Sequence, residues 1–279
     1  MDIRKETGEK EPFNKRKLCI SLKKAGAPAG LAEEVCERVA GELPPGATTS
    51  RIFRTALRYL TKENPAAAAR YSVKRGIAEL GPAGFLFEKF VETILRAKGY
   101  ATRRNVFMRG KCIRHEIDIL AKKDSEHVLV EAKYHNTPSL KTHVDVVMYA
   151  DARLVDIEKE RRTKERREVP HIMWLFTNTR FSGQAVRYAR CRRIRLTGWN
   201  YPKGEGLEDL VHRHGLYPVT ALPSVDRAAR EMFAKHNMML VQDIVPYTAE
   251  DLEKRFGVPR GRSRRIAREA HALIEDRIR

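Results

Sequence analysis

The stretch RHEIDILAKKDSEHVLVEAK, residues 114–133, constrains the fold more than any other part of the chain. Two apolar runs alternate with polar residues at a period of two, which is the pattern of half-buried β-strands, and AKKDSEH between them is a turn. Ile113 to Leu120 and Val128 to Lys133 therefore read as an antiparallel hairpin. Successive side chains on a strand point to opposite faces, so Ile113, His115, Ile117 and Ile119 share one face and Glu116 and Asp118 the other. On the second strand Leu129, Glu131 and Lys133 point together, away from Val128, Val130 and Ala132. Asp118 then converges with Glu131 and Lys133 on one side of a sheet.

Two neighbouring carboxylates repel each other unless a cation lies between them, and oxygen donors suit a hard ion such as Mg2+ or Mn2+. A lysine beside them adds a positive group able to orient water and to stabilise charge developing on a phosphate. The rest of the chain supplies a field suited to such a substrate. Among 279 residues, 55 Lys and Arg outweigh 36 Asp and Glu, for a formal charge of +19 that attracts phosphate polymers. The first residues, MDIRKETGEKEPF, lack the apolar segment of a signal peptide, and no apolar run approaches the ~20 residues of a membrane span. A cytoplasmic protein with no membrane partner is expected. Cys19, Cys36, Cys112 and Cys191 form no C-x-x-C pair, which speaks against a zinc knuckle or a disulfide scaffold, so they read as small buried apolar residues. His212 and His214 have no cysteine or third histidine nearby to complete a metal site.

Around the hairpin the texture is α/β. Phe85 to Lys98 reads as a helix ended by Gly99, Lys141 to Ile157 as a second helix, Ile172 to Phe176 as a buried strand, Ser182 to Arg190 as a helix, and Ile194 to Leu196 as a last strand. The charged run EKERRTKERREVP, ending at Pro170, reads as a solvated helix end or loop. Phe13 to Leu80 is helical, with faces at Leu18, Leu22 and Ala25, at Leu31, Val35 and Val39, and at Ile52, Leu57 and Leu60. From Gly206 onward the chain is helical again, with short helices over Leu207 to His214, Val225 to His236, Ala249 to Phe256 and Ser263 to Ile274.

The residues HEID at 115–118 followed by VEAK at 130–133 resemble the PD-(D/E)xK nuclease signature, with Asp118 as the first acid, Glu131-Ala132-Lys133 as E-x-K, and Ile117 in place of the proline. The upstream helix FLFEKFVETILRAKGY carries Phe87-Glu88, a pair found in the Mrr-type restriction endonuclease-like branch of that superfamily, and FTNTRFSGQA with RLTGWN resembles its closing strand, helix and strand. The resemblance covers residues 82–202 and implies a restriction-endonuclease-like α/β fold. It further implies Glu88, Asp118 and Glu131 as metal ligands, Lys133 as the catalytic lysine, and hydrolysis of DNA.

The two ends carry further resemblances. Ile3, Lys5 and Gly8, then Phe13, Asn14, Lys17 and Leu18, are similar to the opening of an ATP-cone, with TTSRI at 48–52 and ARYSVKR at 69–75 fitting later parts of that helical domain. Glu6 and Thr7 stand where that family has arginine and aspartate. Over residues 1–80 this resemblance implies ATP or dATP as an effector bound through Ile3, Lys5, Gly8 and Lys17. Residues 206–279 resemble tandem helix-hairpin-helix modules, whose backbone amides and helix N-termini bind DNA phosphates without reading sequence. The second hairpin, Gly257 to Gly261, has the glycines for close backbone approach and the cluster Arg260, Arg262, Arg264 and Arg265.

The expectation is thus a three-part protein: an ATP-cone-like helical domain, a central α/β nuclease domain and an all-helical DNA-binding region. Two active sites are needed to cut both strands, which implies a homodimer. The alternatives are a nucleotide-responsive DNA-binding regulator without catalysis, and a structure-selective resolvase or repair nuclease.

Overall fold

A computed structural model describes residues 2–5, 8–80, 84–163 and 171–278. The chain begins with a hairpin of β1 (Asp2–Arg4) and β2 (Lys10–Pro12), turned through Gly8 at a φ of 84°. Helices α1 (Lys15–Lys24), α2 (Ala29–Glu42), α3 (Thr49–Glu63) and α4 (Pro65–Ala78) follow. Their starts are chemical: Asn14 accepts from Lys17 N–H at 3.0 Å, Thr48 from Arg51 N–H at 3.2 Å, and Asn64 from Ala67 N–H at 2.9 Å. The stripes Leu18 with Leu22, Val35 with Val39, and Ile52 with Ala56 and Leu60 meet in one core, into which Ile3 also packs.

Cys19 of α1 and Cys36 of α2 are joined as a disulfide, their Cα atoms 5.8 Å apart, while Cys112 and Cys191 are exposed. This corrects the reading of four buried apolar cysteines. Two residues 17 apart in sequence meet because the α1–α2 turn folds one helix face onto the other.

The middle of the chain runs α5 (Phe85–Ala97), β3 (Ala101–Arg109), β4 (Arg114–Lys123), β5 (Glu126–Lys133), β6 (Lys141–Thr142), α6 (Val144–Thr163), β7 (His171–Thr177), β8 (Arg180–Phe181), α7 (Gly183–Arg192), β9 (Arg195–Thr197) and α8 (Leu207–His214). The main sheet has the order β3-β4-β5-β7-β9, antiparallel from β3 to β5 and parallel from β5 to β9. The expected hairpin is β4–β5, closed by a turn with Asp124 at a φ of 51°, a conformation that Asp tolerates. Ile113 departs from its expected inward face: it precedes β4 and is 63% exposed.

Two elements depart from the sequence pattern. β3 carries Arg103, Arg104, Asn105 and Arg109 on the sheet edge, so its weak alternation is masked by polar residues even though its register with β4 is the same on both sides of Asn105, where the pairing is interrupted at a φ of 51°. The expected helix from Lys141 starts with β6, which pairs parallel with β8, and becomes helical only from Val144. The first half of the charged run, Glu158 to Thr163, forms the last turns of α6, and the rest lies outside the described residues.

The described residues divide into two compact units, one made of the segments ending at Ile77 and starting at Tyr217, the other of Ala78–Leu216. In the first, the C-terminal segment adds a 3-10 turn (Val219–Ala221), α9 (Arg227–Lys235), α10 (Val241–Ile244), α11 (Ala249–Lys254) and α12 (Arg260–Ile278). The two ends of the chain, expected as separate parts, are joined there. Arg70 pairs with Asp276, Thr220 Oγ1 donates to Gly76 O at 2.6 Å, and a Cβ on Gly76 would stand 2.7 Å from Ala221 N. In the second unit, α8 packs on α5 through its buried Leu207, Leu210 and Val211, although the sequence groups it with the C-terminal region. The expected boundary at Gly81-Pro82 falls outside the described residues. Among the described residues, no helix is long and apolar enough to cross a membrane.

Candidate functional site

The ladder between β4 and β5 is regular from Lys123↔Glu126 to Ile119↔Val130. Beyond it, the Asp118 carboxylate accepts the Ala132 N–H at 2.8 Å. A side chain thereby takes the place of a strand-to-strand bond, and Asp118 is anchored at the point where β5 continues beside β7 alone, with Glu131 opposite Leu175 and Lys133 opposite Thr177. Glu88 reaches the same place from the first turn of α5, whose Glu88 N–H donates to Gly84 O at 2.9 Å. The ideal Cβ position on Gly84 lies 3.9 Å from both Glu88 Oε1 and Tyr134 Cβ, which puts the Glu88 carboxylate near the residue that follows Lys133.

Electrostatics link these acids. Burial raises the Glu88 carboxyl above its ordinary range, with the Asp118 charge adding to it. Burial also raises Asp118, against the Ala132 N–H bond and the Arg153 charge. Glu131 is pushed up to about 7 by burial and by Asp118, with Arg153 and Lys133 opposing. Asp118 and Glu131 therefore share the charge of Arg153 while Arg104 opposes the rise at Glu88, and the exposed Glu116 adds repulsion to Glu88 and Asp118. Lys133 is exposed at the end of β5. The chain after it is held by His135, whose N–H donates to Asn178 Oδ1 at 2.9 Å and whose carbonyl accepts Asn178 Nδ2–H at 2.7 Å.

One residue of the candidate site carries no mark in the sequence. Arg153 of α6 pairs with Glu131, with only 16% and 19% of the two side chains exposed, and its guanidinium also lies 4.6 Å from the ring centre of Tyr149. It lies 22 positions from Glu131 in a helix whose pattern marks no face for it, so no sequence signal points to it. Glu116 did leave a signal, since it shares the Asp118 face.

Among the described residues, no three His, Cys, Asp or Glu side chains are grouped closely enough to hold an ion. Mg2+ needs less, since one or two carboxylates with carbonyl, water and phosphate oxygens suffice. Asp118 and Glu131, both partly buried and both holding protons more firmly than usual, are the donors whose chemistry fits such an ion.

The other predicted residues are separate. Ile3 is 5% exposed and belongs to the core, so it offers no surface to a base. Lys5 pairs with Glu9 and Glu11, each at 3.0 Å, so two carboxylates already take up its charge. Gly8 turns the hairpin, Lys17 is exposed, and the departures at Glu6 and Thr7 lie outside the described residues. At the C-terminal hairpin, Gly257 at a φ of 65° ends α11, and Val258 N–H donates back to Leu252 O at 3.1 Å. Arg260, Arg264 and Arg265 are exposed on α12, but Arg262 pairs with Asp226 at 2.7 Å. In the turn PSVD, residues 223–226, which stands where the first helix-hairpin-helix hairpin would lie, Ser224 gives its N–H and hydroxyl to the buried Glu269, so that amide is already spoken for.

Similarity to known proteins agrees with this layout. A family profile described as restriction endonuclease matches residues 82–200, and one described as AF1548-like, C-terminal, matches residues 217–274. An uncharacterized protein of Archaeoglobus fulgidus is 36% identical over 181 residues, which span 65% of this chain and 98% of that protein. The crystal structure of a protein of unknown function, AF1548, is similar with 34% identity and a TM-score of 0.54, covering 70% of this chain and 100% of that one. The MspJI restriction endonuclease bound to a 27-mer oligonucleotide, at 15% identity and a TM-score of 0.29 over 67% of this chain and 33% of its own, is too distant to inform the site.

Proposed function

Because the chain belongs to the AF1548-like family and carries a restriction endonuclease-like domain over residues 82–200, we propose that it is a metal-dependent endonuclease hydrolysing DNA phosphodiester bonds. The observation that carries this reading is the placement of Asp118 against the β5 segment that bears Glu131 and Lys133, its carboxylate accepting the Ala132 N–H at 2.8 Å, with the Asp118 charge acting on both Glu131 and Glu88 of α5. Asp118, Glu131 and the Ala132 carbonyl would hold Mg2+ or Mn2+, with Glu88 completing or tuning the shell. The ion would polarise the scissile phosphate and make its bound water a better nucleophile. Lys133 would orient the attacking water and donate to the phosphate oxygen on which charge grows, and its exposed position at the end of β5 leaves it room to do so. Incubating the protein with plasmid and branched DNA, in Mg2+ and in EDTA, tests the reading. Cleavage in Mg2+ alone is expected, and intact DNA under every condition would remove it.

DNA is the proposed partner, and the net charge of +19 supports it. Exposed Arg264 and Arg265 beside the Gly257 turn are proposed to contact phosphates. Joint replacement of Arg264 and Arg265 by alanine is expected to lower the slope of log affinity against log salt by about 2, at roughly one unit per phosphate contact. The complex is expected to sediment with two chains. An unchanged slope would take α12 out of the interface.

A nucleotide effector is proposed for the N-terminal helices on narrower grounds. The hairpin followed by four helices supports it, but with Ile3 buried and Lys5 paired, Lys17 is left as the exposed candidate. Saturable binding of labelled ATP or dATP by the full chain, weakened in Lys17→Ala, is the expected result. Purely linear uptake would remove the effector.

A further inference from the structure

Four features of Arg153 make it more than a structural ion pair. Its partner is Glu131, the acid at the centre of the site, and both side chains are mostly buried. Its charge also acts on Asp118, so a single guanidinium compensates the two carboxylates proposed to hold the metal. Its helix approaches from the sequence between β5 and β7, so α6 delivers a cation to the end of the strand that carries Glu131 and Lys133. Finally, it has a second partner that does not depend on Glu131, since Tyr149 lies one helical turn earlier on α6, already faces the guanidinium with its ring centre 4.6 Å away, and is 60% exposed.

A buried carboxylate cannot be shared without cost between a guanidinium and a divalent ion. The ion brings two charges to the oxygens where arginine brings one, and the two cations repel at contact distance. Arginine remains protonated at any pH compatible with the fold, so it leaves by moving and not by losing its proton. The Tyr149 ring, against which it already lies, lets it release Glu131 without full exposure to water, because a guanidinium stacks on an aromatic ring.

We propose that Arg153 is a displaceable counter-cation, which holds Glu131 until a divalent ion binds and then lets go of that carboxylate while staying against Tyr149. The inference rests on the metal-dependent reading of the site. Arg153 thereby lowers affinity for the free ion, and once displaced it adds a positive charge at the edge of the site for the phosphate that arrives with the metal. It is a positioning residue, since it acts through Glu131.

Calorimetric titration of the full chain with Mn2+ tests this without any cleavage assay. Arg153→Met is expected to bind Mn2+ at least about tenfold more tightly than wild type, about 1.4 kcal/mol, and Arg153→Lys to fall between them. Equal or weaker binding by Arg153→Met, with wild type binding normally, would overturn the displacement while leaving the metal site standing. No binding by any variant would overturn both. Should Arg153→Met fail to fold, the Arg153 Nε resonance of the wild type, assigned by its loss in Arg153→Lys, carries the same test. Mg2+ is expected to shift it to a new position, and a resonance that Mg2+ leaves unmoved while it binds would overturn the proposal.

Discussion

Replacing Lys133 by alanine is expected to lower Mg2+-dependent cleavage of DNA by about 10²–10³-fold, the usual loss when one preorganised donor to a developing charge is removed. The fold should not suffer. Lys133 is exposed at the end of β5, and its place in the sheet is kept by backbone pairing with Thr177 and by the His135–Asn178 clasp that follows. Lys133→Arg separates two roles. A group needed only for its charge is partly replaced by arginine, whereas one that must match a water molecule at a single point is not, because the guanidinium is planar and larger. Cleavage undiminished in purified Lys133→Ala would end the proposal that this lysine is catalytic. Retained circular dichroism with lost cleavage would support it.

The second large effect is on stability. Glu131 is held up to about 7 against an ordinary value of 4.5, so between these pH values the folded state binds a proton that the unfolded chain has released. Stability therefore falls as pH rises through that window. The penalty is absent below about 4.5, where both states are protonated, and complete above about 7. At about 1.4 kcal/mol for each pH unit across that window, it is on the order of 3 kcal/mol without a divalent ion. Glu131→Gln removes it, so in EDTA at pH 8 the variant is expected to unfold at higher urea than wild type, with the gap closing toward pH 4.5. Trp174 and Trp199 both lie in the central unit, so tryptophan fluorescence reports on the part that carries Glu131. A gap of the same size at both pH values would show that burial does not hold the proton on Glu131.

Legibility in the sequence differed between residues for physical reasons. β5 was readable because a period of two forces positions 131 and 133 onto one face whatever the rest of the chain does. The hairpin with β4 was readable because its turn is local. β3 was not, since an edge strand can carry arginine at inward and outward positions alike. Ile3 is a nucleotide contact by the resemblance of the N-terminal segment, and only the packing of α1 to α4 around it makes it core. Arg262 belonged to an arginine run in sequence, but the start of α9 brings Asp226 against it.

By itself, the sequence determined the local elements: the β4–β5 hairpin, the capped helices, the E-x-K spacing, and an excess of positive charge suited to a polyanion. These depend on neighbours within a few residues, where steric periodicity and side-chain-to-backbone hydrogen bonds act. Only the tertiary structure decided which charges meet. It brought Glu88 into the field of Asp118, replaced a ladder bond by the Asp118 carboxylate, and set Arg153 against Glu131 from 22 residues away. It also joined the two ends of the chain in one unit. Contacts of that kind arise from burial of apolar faces that carry no partner code of their own, so the partners of a charge become definite only when the core has closed.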